Sequence, residues 1–254
     1  MADWSTNTQD WADIQEHTIH PSWLAVLNEL TPSPEELLLD LGCGAGGFTQ
    51  LAARHDVKVS GLDASAALVE IARTRNPTGT FRVGDMEQLP FPDAEFAAVT
   101  AFNSLHFARN PARALTEAIR VTRPGGHIAI STWGPLIDCD ALAYFLDLGG
   151  LLPSTPPQAE PPEDLSDPAT ARRLLSRTGL AITRERTLSC PWEYPDQATA
   201  LRGLLSTGPA AAAISHVGKQ RVTDTITESI SPYRRTDGTY LLHNTCSTLI
   251  ATRT

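Results

Sequence analysis

The chain has 254 residues, of which 41% are hydrophobic and 19% are charged, and its formal net charge at pH 7 is −9. These values are typical of a globular protein with one large domain or a domain with an appended lobe. The acidic balance disfavours a nucleic-acid partner, because a phosphate backbone binds basic surfaces. A run of about eighteen apolar residues, as a membrane span requires, is absent. We therefore expect a small organic substrate.

The cysteines and the N-terminus bear on the compartment. Cys43, Cys139, Cys190 and Cys246 are scattered without a Cys-x-x-Cys pair, which disfavours both a disulfide framework and a metal site. The first residues lack the basic start and apolar block of a secretory signal. We therefore expect a cytoplasmic protein without a metal. The heavy use of alanine, arginine and proline is typical of a GC-rich bacterial source, which would suit secondary metabolism.

Residues 1–30 are predicted to form an N-terminal helical lid. Apolar residues recur there at spacings of three and four, which predicts one or two amphipathic helices, the second with Pro21 in its first turn. Two interpretations of the aromatic residues stay open. They either pack into the core or cover a ligand crevice, and in the second case Trp11, His17 and His20 face a substrate.

Residues 37–47, LLLDLGCGAGG, predict a short buried strand that ends in a glycine-rich turn. Glycine lets the backbone turn tightly and lets a ligand approach it without a Cβ in the way. The positions that follow the apolar run are Asp40, Gly42, Cys43, Gly44 and Gly46. The pattern alone is ambiguous, since Gly42, Gly44 and Gly47 also satisfy the dinucleotide spacing G-x-G-x-x-G.

Further strands alternate with helices, which predicts a parallel sheet with helices on both faces. The predicted strands are 36–41, 57–63, 81–85, 95–102 and 127–133. Ser65 and Pro111 begin two of the helices, and residues 123–126 form a tight turn. In such sheets ligands bind beyond the carboxyl ends of the strands. The residues predicted at those ends, and hence at one shared site, are Asp40, Asp63, Asp85, Asn103 and Trp133.

The second half of the chain is less regular. We expect a helix over 138–150, a surface loop over 153–164, a helix from Asp167-Pro168 to about Arg177, a strand over 180–188, a turn at 192–195, helices over 196–206 and 209–230, and a final strand within 239–253.

The motifs DLGCGAG, GLDAS, VGDMEQLPF, RPGG and ISTW, in this order, resemble those of the class I S-adenosylmethionine-dependent methyltransferases. The resemblance is greatest to the small-molecule branch, similar to the ubiquinone and menaquinone methyltransferases, and covers residues 37–133. It implies an α/β fold with a doubly wound, Rossmann-like, mostly parallel seven-stranded sheet, an N-terminal helical lid and an inserted or C-terminal helical cap. The implied division is a lid at 1–30, a cofactor-binding core at 31–135, and a substrate cap plus the final core strands at 136–254.

The resemblance also implies that the cofactor is S-adenosyl-L-methionine. Asp63 would accept hydrogen bonds from the ribose hydroxyls, because a carboxylate is a pure acceptor. Asp85 would accept from the adenine amine, with Met86 packing on the ring, while Asp40 and Asn103 would lie near the methionine amino group. The predicted cofactor-binding residues are Asp40, Gly42, Cys43, Gly44, Gly46, Asp63, Ala64, Asp85, Met86 and Asn103.

Methyl transfer needs a base only where the acceptor must lose a proton. His106 is the candidate, because it follows the fourth strand at the crevice mouth and histidine titrates near neutrality; a packed or capping histidine is the equally open alternative. Trp133 would wall the acceptor site or serve as a core aromatic. His17, His20 and His243 are lesser candidates. The expected partner is a small methyl acceptor, and the expected assembly is a monomer or homodimer.

Three functional hypotheses follow. The leading one is methyl transfer to an O or C atom of a small apolar or aromatic metabolite, with S-adenosyl-L-homocysteine as product. The second is a protein that binds the cofactor without transferring its methyl group, as a cyclase, an isomerase or a non-catalytic partner. The third is a nicotinamide oxidoreductase, which rests on the glycine spacing alone; the GDMEQLPF segment and the absence of a Tyr-x-x-x-Lys pattern disfavour it.

Overall fold

The computed structural model describes residues 7–153, 167–178 and 180–254. The predicted loop at 153–164 lies outside these ranges except for its first residue. The described residues form nine strands: β1 Leu37–Leu41, β2 Lys58–Asp63, β3 Thr80–Val83, β4 Phe96–Phe102, β5 Thr122–Trp133, β6 Ala181–Ser189, β7 Trp192–Tyr194, β8 Tyr240–Leu242 and β9 Thr245–Thr252.

Seven of these strands form one sheet in the order β3-β2-β1-β4-β5-β9-β6, while β7 and β8 form a separate pair. Neighbours from β3 to β5 are parallel, and β9 runs antiparallel to both β5 and β6. The mostly parallel seven-stranded, doubly wound sheet of the Rossmann-like type is thus confirmed. The strand order reverses between β1 and β4, where sheets of this kind open a crevice for ligands.

The described helices are α1 Thr8–Asp10, α2 His20–Leu30, α3 Gly47–Ala53, α4 Ala66–Arg75, α5 Pro111–Val121, α6 Ala141–Gly149, α7 Pro168–Arg177, α8 Gln197–Leu205, α9 Gly208–Val217 and α10 Lys219–Ile230. A π-helical turn at Trp11–Gln15 and a 3₁₀ turn at Glu16–Ile19 join α1 to α2. We call Thr8–Ile19 the N-terminal segment. None of these helices is long and apolar enough to cross a membrane.

Local signals account for several helix starts. The Ser65 hydroxyl accepts the Leu68 N–H at the start of α4, and the Asp167 carboxylate accepts the Thr170 N–H at the start of α7. Both satisfy a backbone donor that has no partner inside its helix. Pro21 lies in the first turn of α2, as predicted.

Two hydrophobic cores flank the sheet. On one face, α2, α3 and α4 pack against Leu38, and Phe48 of α3 is buried there. On the other face, α5 and α7 pack against Leu39, with Leu115 and Leu174 buried. Consecutive residues of β1 enter opposite cores because side chains alternate along a strand. A parallel strand covered on both faces is apolar along its whole length, as β1 is up to Asp40.

A third core lies outside the sheet. It joins α6, α8, α9 and α10 with β7 and β8, and we call this unit the helical cap. The chain enters it after β5, returns to the sheet through α7 and β6, and enters it again before β9. The cap therefore stands over the carboxyl end of β5, where Trp133 packs against its core.

Two predicted elements of the cap are wrong. Residues 192–195, predicted as a turn, contain β7, because Trp192 and Tyr194 alternate into the cap core while the strand pairs with β8. The single helix predicted over 209–230 is two helices, since Gly218 adopts φ +85° between α9 and α10.

Two predicted boundaries in the sheet also move. Residues 123–126, predicted as a tight turn, belong to β5, which accommodates them by a register shift opposite Phe96 and Ala98. A positive φ of 75° at Gly125 bends the strand there. The third strand ends at Val83 rather than at residue 85, so Asp85 lies on the loop that follows it.

The two-sided core predicts which leucines carry stability. Leu115→Ala on α5 is expected to lower the free energy of unfolding by about 2–5 kcal/mol, because it removes a fully buried side chain and leaves a cavity. Leu24→Ala on α2 is the control: that side chain is 38% exposed, so the expected loss is below about 1 kcal/mol. Urea unfolding of both variants measures the difference, and equal losses would contradict the assigned packing.

Candidate functional site

A cavity of about 1010 Å³ opens beyond the carboxyl ends of the parallel strands. Residues at or just after the ends of five strands line it: Gly42, Asp63, Gly84, Asn103 and Trp133. The N-terminal segment and the helical cap supply the opposite walls. The volume is at the upper end of about 300–1,000 Å³, the usual range for small-molecule sites.

The loop Gly42–Gly46, which we call the glycine-rich loop, has room for no side chain at its lining positions. Gly42, Gly44 and Gly46 adopt φ values of +71°, +54° and +80°, which L side chains rarely adopt. A Cβ on Gly42 would lie 2.3 Å from the Ser104 Cβ, and one on Gly44 would lie 2.9 Å from Glu16 Oε1. Glycine is therefore required there.

Asp63 ends β2 and holds this loop. Its Oδ2 accepts the Gly44 N–H at 2.9 Å, and its Oδ1 accepts the Ser65 N–H at 2.8 Å. Burial raises the pKa of Asp63, and the backbone donors, Ala64 among them, oppose that rise. Asp63 and Ala64 both line the cavity. The carboxylate is thus fixed by two backbone groups while it faces the cavity.

Three predicted cofactor-binding residues lie behind the cavity wall: Asp40, Cys43 and Gly46 are not among the lining residues. Asp40 is buried, and its Oδ1 accepts the Thr100 hydroxyl at 2.7 Å. Burial raises the pKa of Asp40 to about 8, so this carboxyl is protonated at neutral pH. The Cys43 thiol is directed at Gly61 of β2, where a Cβ would lie 2.7 Å from its Sγ.

Asp85 and Met86 line the cavity on the loop after β3. Asp85 Oδ1 accepts the Glu87 N–H at 2.9 Å, and Arg109 Nη2 lies 3.5 Å from Oδ2. Met86 packs partly into the core that contains α5. A polar acceptor and an apolar side chain therefore stand together at this end of the cavity.

Asn103 and His106 line the cavity after β4. Asn103 adopts φ +47° and donates its N–H to the Ser131 carbonyl at 2.9 Å. Its buried side-chain oxygen has no hydrogen-bond partner among the described residues, and such an atom marks a place for a ligand donor. His106 lies against Phe107, with ring centroids 4.1 Å apart.

The N-terminal segment meets the prediction only in part. Trp11 lines the cavity beside Gly44. His17 and His20 do not line it: both lie edge-on against Trp23, with ring centroids 5.9 Å away. The expectation that these two histidines face a substrate is therefore corrected, because the helical path turns them toward Trp23. His243 also lies outside the cavity lining, and its backbone N–H donates to the Asp140 carboxylate at 2.7 Å.

Aromatic rings form the wall of the cavity on the side of the helical cap. Trp133 lies edge-on to Phe145 and Trp192, with centroids 5.3 and 5.6 Å away, and all three line the cavity. Such edge-to-face contacts hold the rings in fixed orientations. The cap side of the cavity therefore presents an apolar surface of packed aromatic rings.

Sequence reasoning missed Glu16, Phe145 and Trp192. Glu16 lines the cavity although it is only 5% exposed, and it accepts the Ala45 N–H at 2.8 Å. Burial raises its pKa to about 7. A single glutamate in a helical segment carries no motif. Trp192 could have been found only by recognising the alternation of Trp192 and Tyr194 as a strand.

The residues present fit the cofactor that the resemblance implies. Gly42 and Gly44 leave no space for side chains beside the cavity. The Asp63 carboxylate is held by the Gly44 N–H, and the buried Asn103 side-chain oxygen has no hydrogen-bond partner among the described residues. Among residues 7–153, 167–178 and 180–254, no group of three or more histidine, cysteine, aspartate or glutamate side chains is placed to hold a metal ion. The four cysteines are buried and free.

Comparison with known proteins finds relatives for the part of the chain that contains the glycine-rich loop. The family model of a methyltransferase domain matches residues 39–130. A malonyl-[acyl-carrier protein] O-methyltransferase of Serratia marcescens is 41% identical over 101 residues, 39% of each chain. A demethylmenaquinone methyltransferase of Renibacterium salmoninarum is 33% identical over 115 residues, which are 43% of this chain and 48% of that protein.

The match to these two relatives thus spans less than half of their length. The crystal structure of the [4+2]-cyclase SpnF is similar over 91% of this chain and 79% of its own, with a TM-score of 0.58 and 19% identity, which shows the fold alone. Residues 39–130 of this chain therefore match a methyltransferase domain, the kind of domain that the sequence motifs resemble.

Proposed function

We propose that this chain is a methyltransferase that uses S-adenosyl-L-methionine to methylate an O or C atom of a small apolar or aromatic metabolite, with S-adenosyl-L-homocysteine as product. One observation carries the proposal. A single cavity joins the glycine-rich loop and Asp63 to the wall of Trp133, Phe145 and Trp192. A polar half suited to a nucleoside and an apolar half suited to an aromatic acceptor therefore meet in one cavity.

Each cofactor contact is assigned to a described residue. Asp63 accepts hydrogen bonds from the ribose hydroxyls, and Ala64 lies beside it. Asp85 accepts a hydrogen bond from the adenine amine, and Met86 packs against the adenine ring. The free side-chain oxygen of Asn103 accepts from the methionyl ammonium. Asp40, Cys43 and Gly46 lie behind the wall, so they act by shaping the loop and, for Asp40, through charge.

When bound, the cofactor supplies a methyl group on a positively charged sulfur. The chain then mainly has to align the acceptor with that methyl group and exclude water, which is catalysis by proximity and orientation. Trp133, Phe145 and Trp192 orient a flat acceptor and keep the site dry. His106 takes the proton of an acceptor that must lose one, such as a phenol, at its ring nitrogen.

The proposal extends to the setting of the protein. The names of the two curated relatives specify a malonyl group on acyl-carrier protein and a demethylmenaquinone. Neither is a nucleic acid, and the demethylmenaquinone supports a small-molecule acceptor. The free, buried cysteines suit a reducing cytoplasm. We place the enzyme in bacterial secondary metabolism on its composition, as a monomer or homodimer.

Product analysis tests the proposal. The protein is incubated with S-adenosyl-L-methionine and a panel of quinols, phenols and polyketides, and each mixture is analysed by mass spectrometry. S-adenosyl-L-homocysteine and a methylated acceptor, formed together, are the expected result. A rearranged acceptor without S-adenosyl-L-homocysteine would contradict methyl transfer and establish instead a cyclase or isomerase that uses the cofactor's charge.

Asp63→Ala is expected to weaken binding of S-adenosyl-L-methionine at least tenfold, because it removes the carboxylate that faces the ribose and holds Gly44. Calorimetric titration measures the affinity, and circular dichroism checks the fold. Asp224→Ala, at an exposed position on α10, is the control and should bind as the unmodified chain does. An unchanged affinity in Asp63→Ala would remove that residue from the site.

We expect Asp40 to release a proton when S-adenosyl-L-methionine binds. Its pKa of about 8 leaves it protonated in the ligand-free protein at pH 7, and a nearby ammonium favours the carboxylate. Binding of S-adenosyl-L-methionine should therefore release up to about one proton, and the affinity should rise with pH up to about 8. Titrations in buffers of different ionisation enthalpy measure this. Asp40→Asn should release fewer protons than the unmodified chain, and equal release in that variant would contradict the assignment.

His106→Gln tests the base. With a phenolic acceptor from the panel, the variant should lower kcat by about 10²–10⁴-fold, the usual contribution of a general base. Its affinity for S-adenosyl-L-homocysteine should stay within twofold, because the predicted role of His106 is toward the acceptor. An unchanged kcat would show that His106 only packs against Phe107.

A further inference from the structure

Arg75 joins three separate parts of the chain. It is the last residue of α4, and its side chain is 17% exposed. Its Nη1 donates to Glu16 Oε2 at 2.8 Å and to the Ala45 carbonyl at 3.3 Å. Its Nη2 donates to the Ala12 carbonyl at 2.7 Å and lies 3.3 Å from Asp13 Oδ1. One guanidinium thus ties α4 to the N-terminal segment and to the glycine-rich loop.

Glu16 completes this network from the other side. Its Oε1 accepts the Ala45 N–H at 2.8 Å, so both polar groups of the Ala45 residue are held, one by Glu16 and one by Arg75. The adjacent N–H, that of Gly44, is held by Asp63. The loop is therefore fixed from β2 by one carboxylate and from the N-terminal segment by another.

Packing adds to these hydrogen bonds. A Cβ on Gly44 would lie 2.9 Å from Glu16 Oε1, and a Cβ on Gly47 would lie 2.8 Å from Glu16 Oε2. The carboxylate therefore sits directly on the loop. A side chain this close transmits any displacement of its own segment to the loop, because buried contacts at native density leave little slack.

The neighbouring residue contacts the cap. Gln15 Oε1 accepts the Tyr194 hydroxyl at 2.8 Å in a buried position. Asp10 pairs with Arg202 of α8 at 2.6 Å. The N-terminal segment thus holds the glycine-rich loop through Glu16 and the helical cap through Gln15, two consecutive residues.

We propose that Glu16 is a positioning residue for the cofactor: paired with Arg75, it holds the Ala45 peptide and completes the cofactor site only when the N-terminal segment is docked. The inference rests on the proposed function, because it takes S-adenosyl-L-methionine as the ligand of the loop. Glu16 acts through Ala45 and is not itself assigned a step of the reaction.

The charges around Glu16 determine when it is ionised. Burial favours the neutral acid, whereas Arg75 of α4 and the backbone N–H groups of Ala45 and Gly47 favour the carboxylate. Asp40 of β1 interacts electrostatically with Glu16, and Asp13 and His17 lie on its own segment. With its pKa near 7, Glu16 is mostly neutral at about pH 6 and mostly ionised at about pH 8. The pairing with Arg75 strengthens over this interval.

The test compares Glu16→Gln with the unmodified chain by calorimetric titration with S-adenosyl-L-homocysteine at about pH 6 and about pH 8. Gln keeps the shape and an acceptor for Ala45 but loses the charge that faces Arg75. The affinity should fall at least about tenfold at the higher pH and no more than about threefold at the lower, where Glu16 of the unmodified chain is itself neutral. A purely structural role would give the same loss at both.

Glu70→Gln is the matched control, since Glu70 pairs with Arg73 on the exposed face of α4 and should change neither affinity. Arg75→Lys keeps the charge but not the fork of donors, so it should give an intermediate loss; it also carries the test if Glu16→Gln does not fold. The double variant with both changes should lose no more than the worse single variant, because the two residues act as one unit.

The inference would be overturned if Glu16→Gln bound within twofold of the unmodified chain at both pH values. The same result for Arg75→Lys would overturn it where that variant replaces Glu16→Gln. Either outcome would leave the proposed function standing. An unmodified chain that bound neither S-adenosyl-L-methionine nor S-adenosyl-L-homocysteine would overturn the proposed function, and the inference with it.

Discussion

The Gly44 N–H to Asp63 carboxylate hydrogen bond is the constraint on which the site depends. It joins the end of β1 to the end of β2 across a loop whose glycines have positive φ values and no room for side chains. Positive φ values and the lack of space for side chains together restrict the loop to one backbone conformation. The glycine-rich loop and Asp63 therefore form a fixed surface, the floor, of the crevice between β1 and β4. The other walls of the cavity lie around this floor.

Of the remaining walls, the helical cap has a core of its own. The helical cap buries its own side chains around α6, α8, α9 and α10, and Trp133 at the end of β5 packs against that core beside Phe145 and Trp192. The N-terminal segment lies between cap and loop.

The sheet and the floor of the site could be predicted from sequence because their signals are local. Glycines at alternate positions after an apolar run, and an acid after the next strand, point to Gly44 and Asp63 without any knowledge of the cap. Glu16 could not be found this way: its partner Arg75 is 59 residues away, and no spacing links them. The prediction that His17 and His20 face a substrate failed for a similar reason. Their contact with Trp23 depends on the π-helical and 3₁₀ turns before α2, which no sequence spacing indicates.

Calorimetric titration of the purified protein with S-adenosyl-L-methionine, and with S-adenosyl-L-homocysteine for comparison, tests the central claim most directly. We expect one site per chain with a dissociation constant in the micromolar range, equivalent to about −8 kcal/mol. Binding of neither ligand, after removal of any copurified cofactor, would contradict it. A nicotinamide nucleotide bound in their place would show that the glycine-rich loop serves the other cofactor its spacing allows.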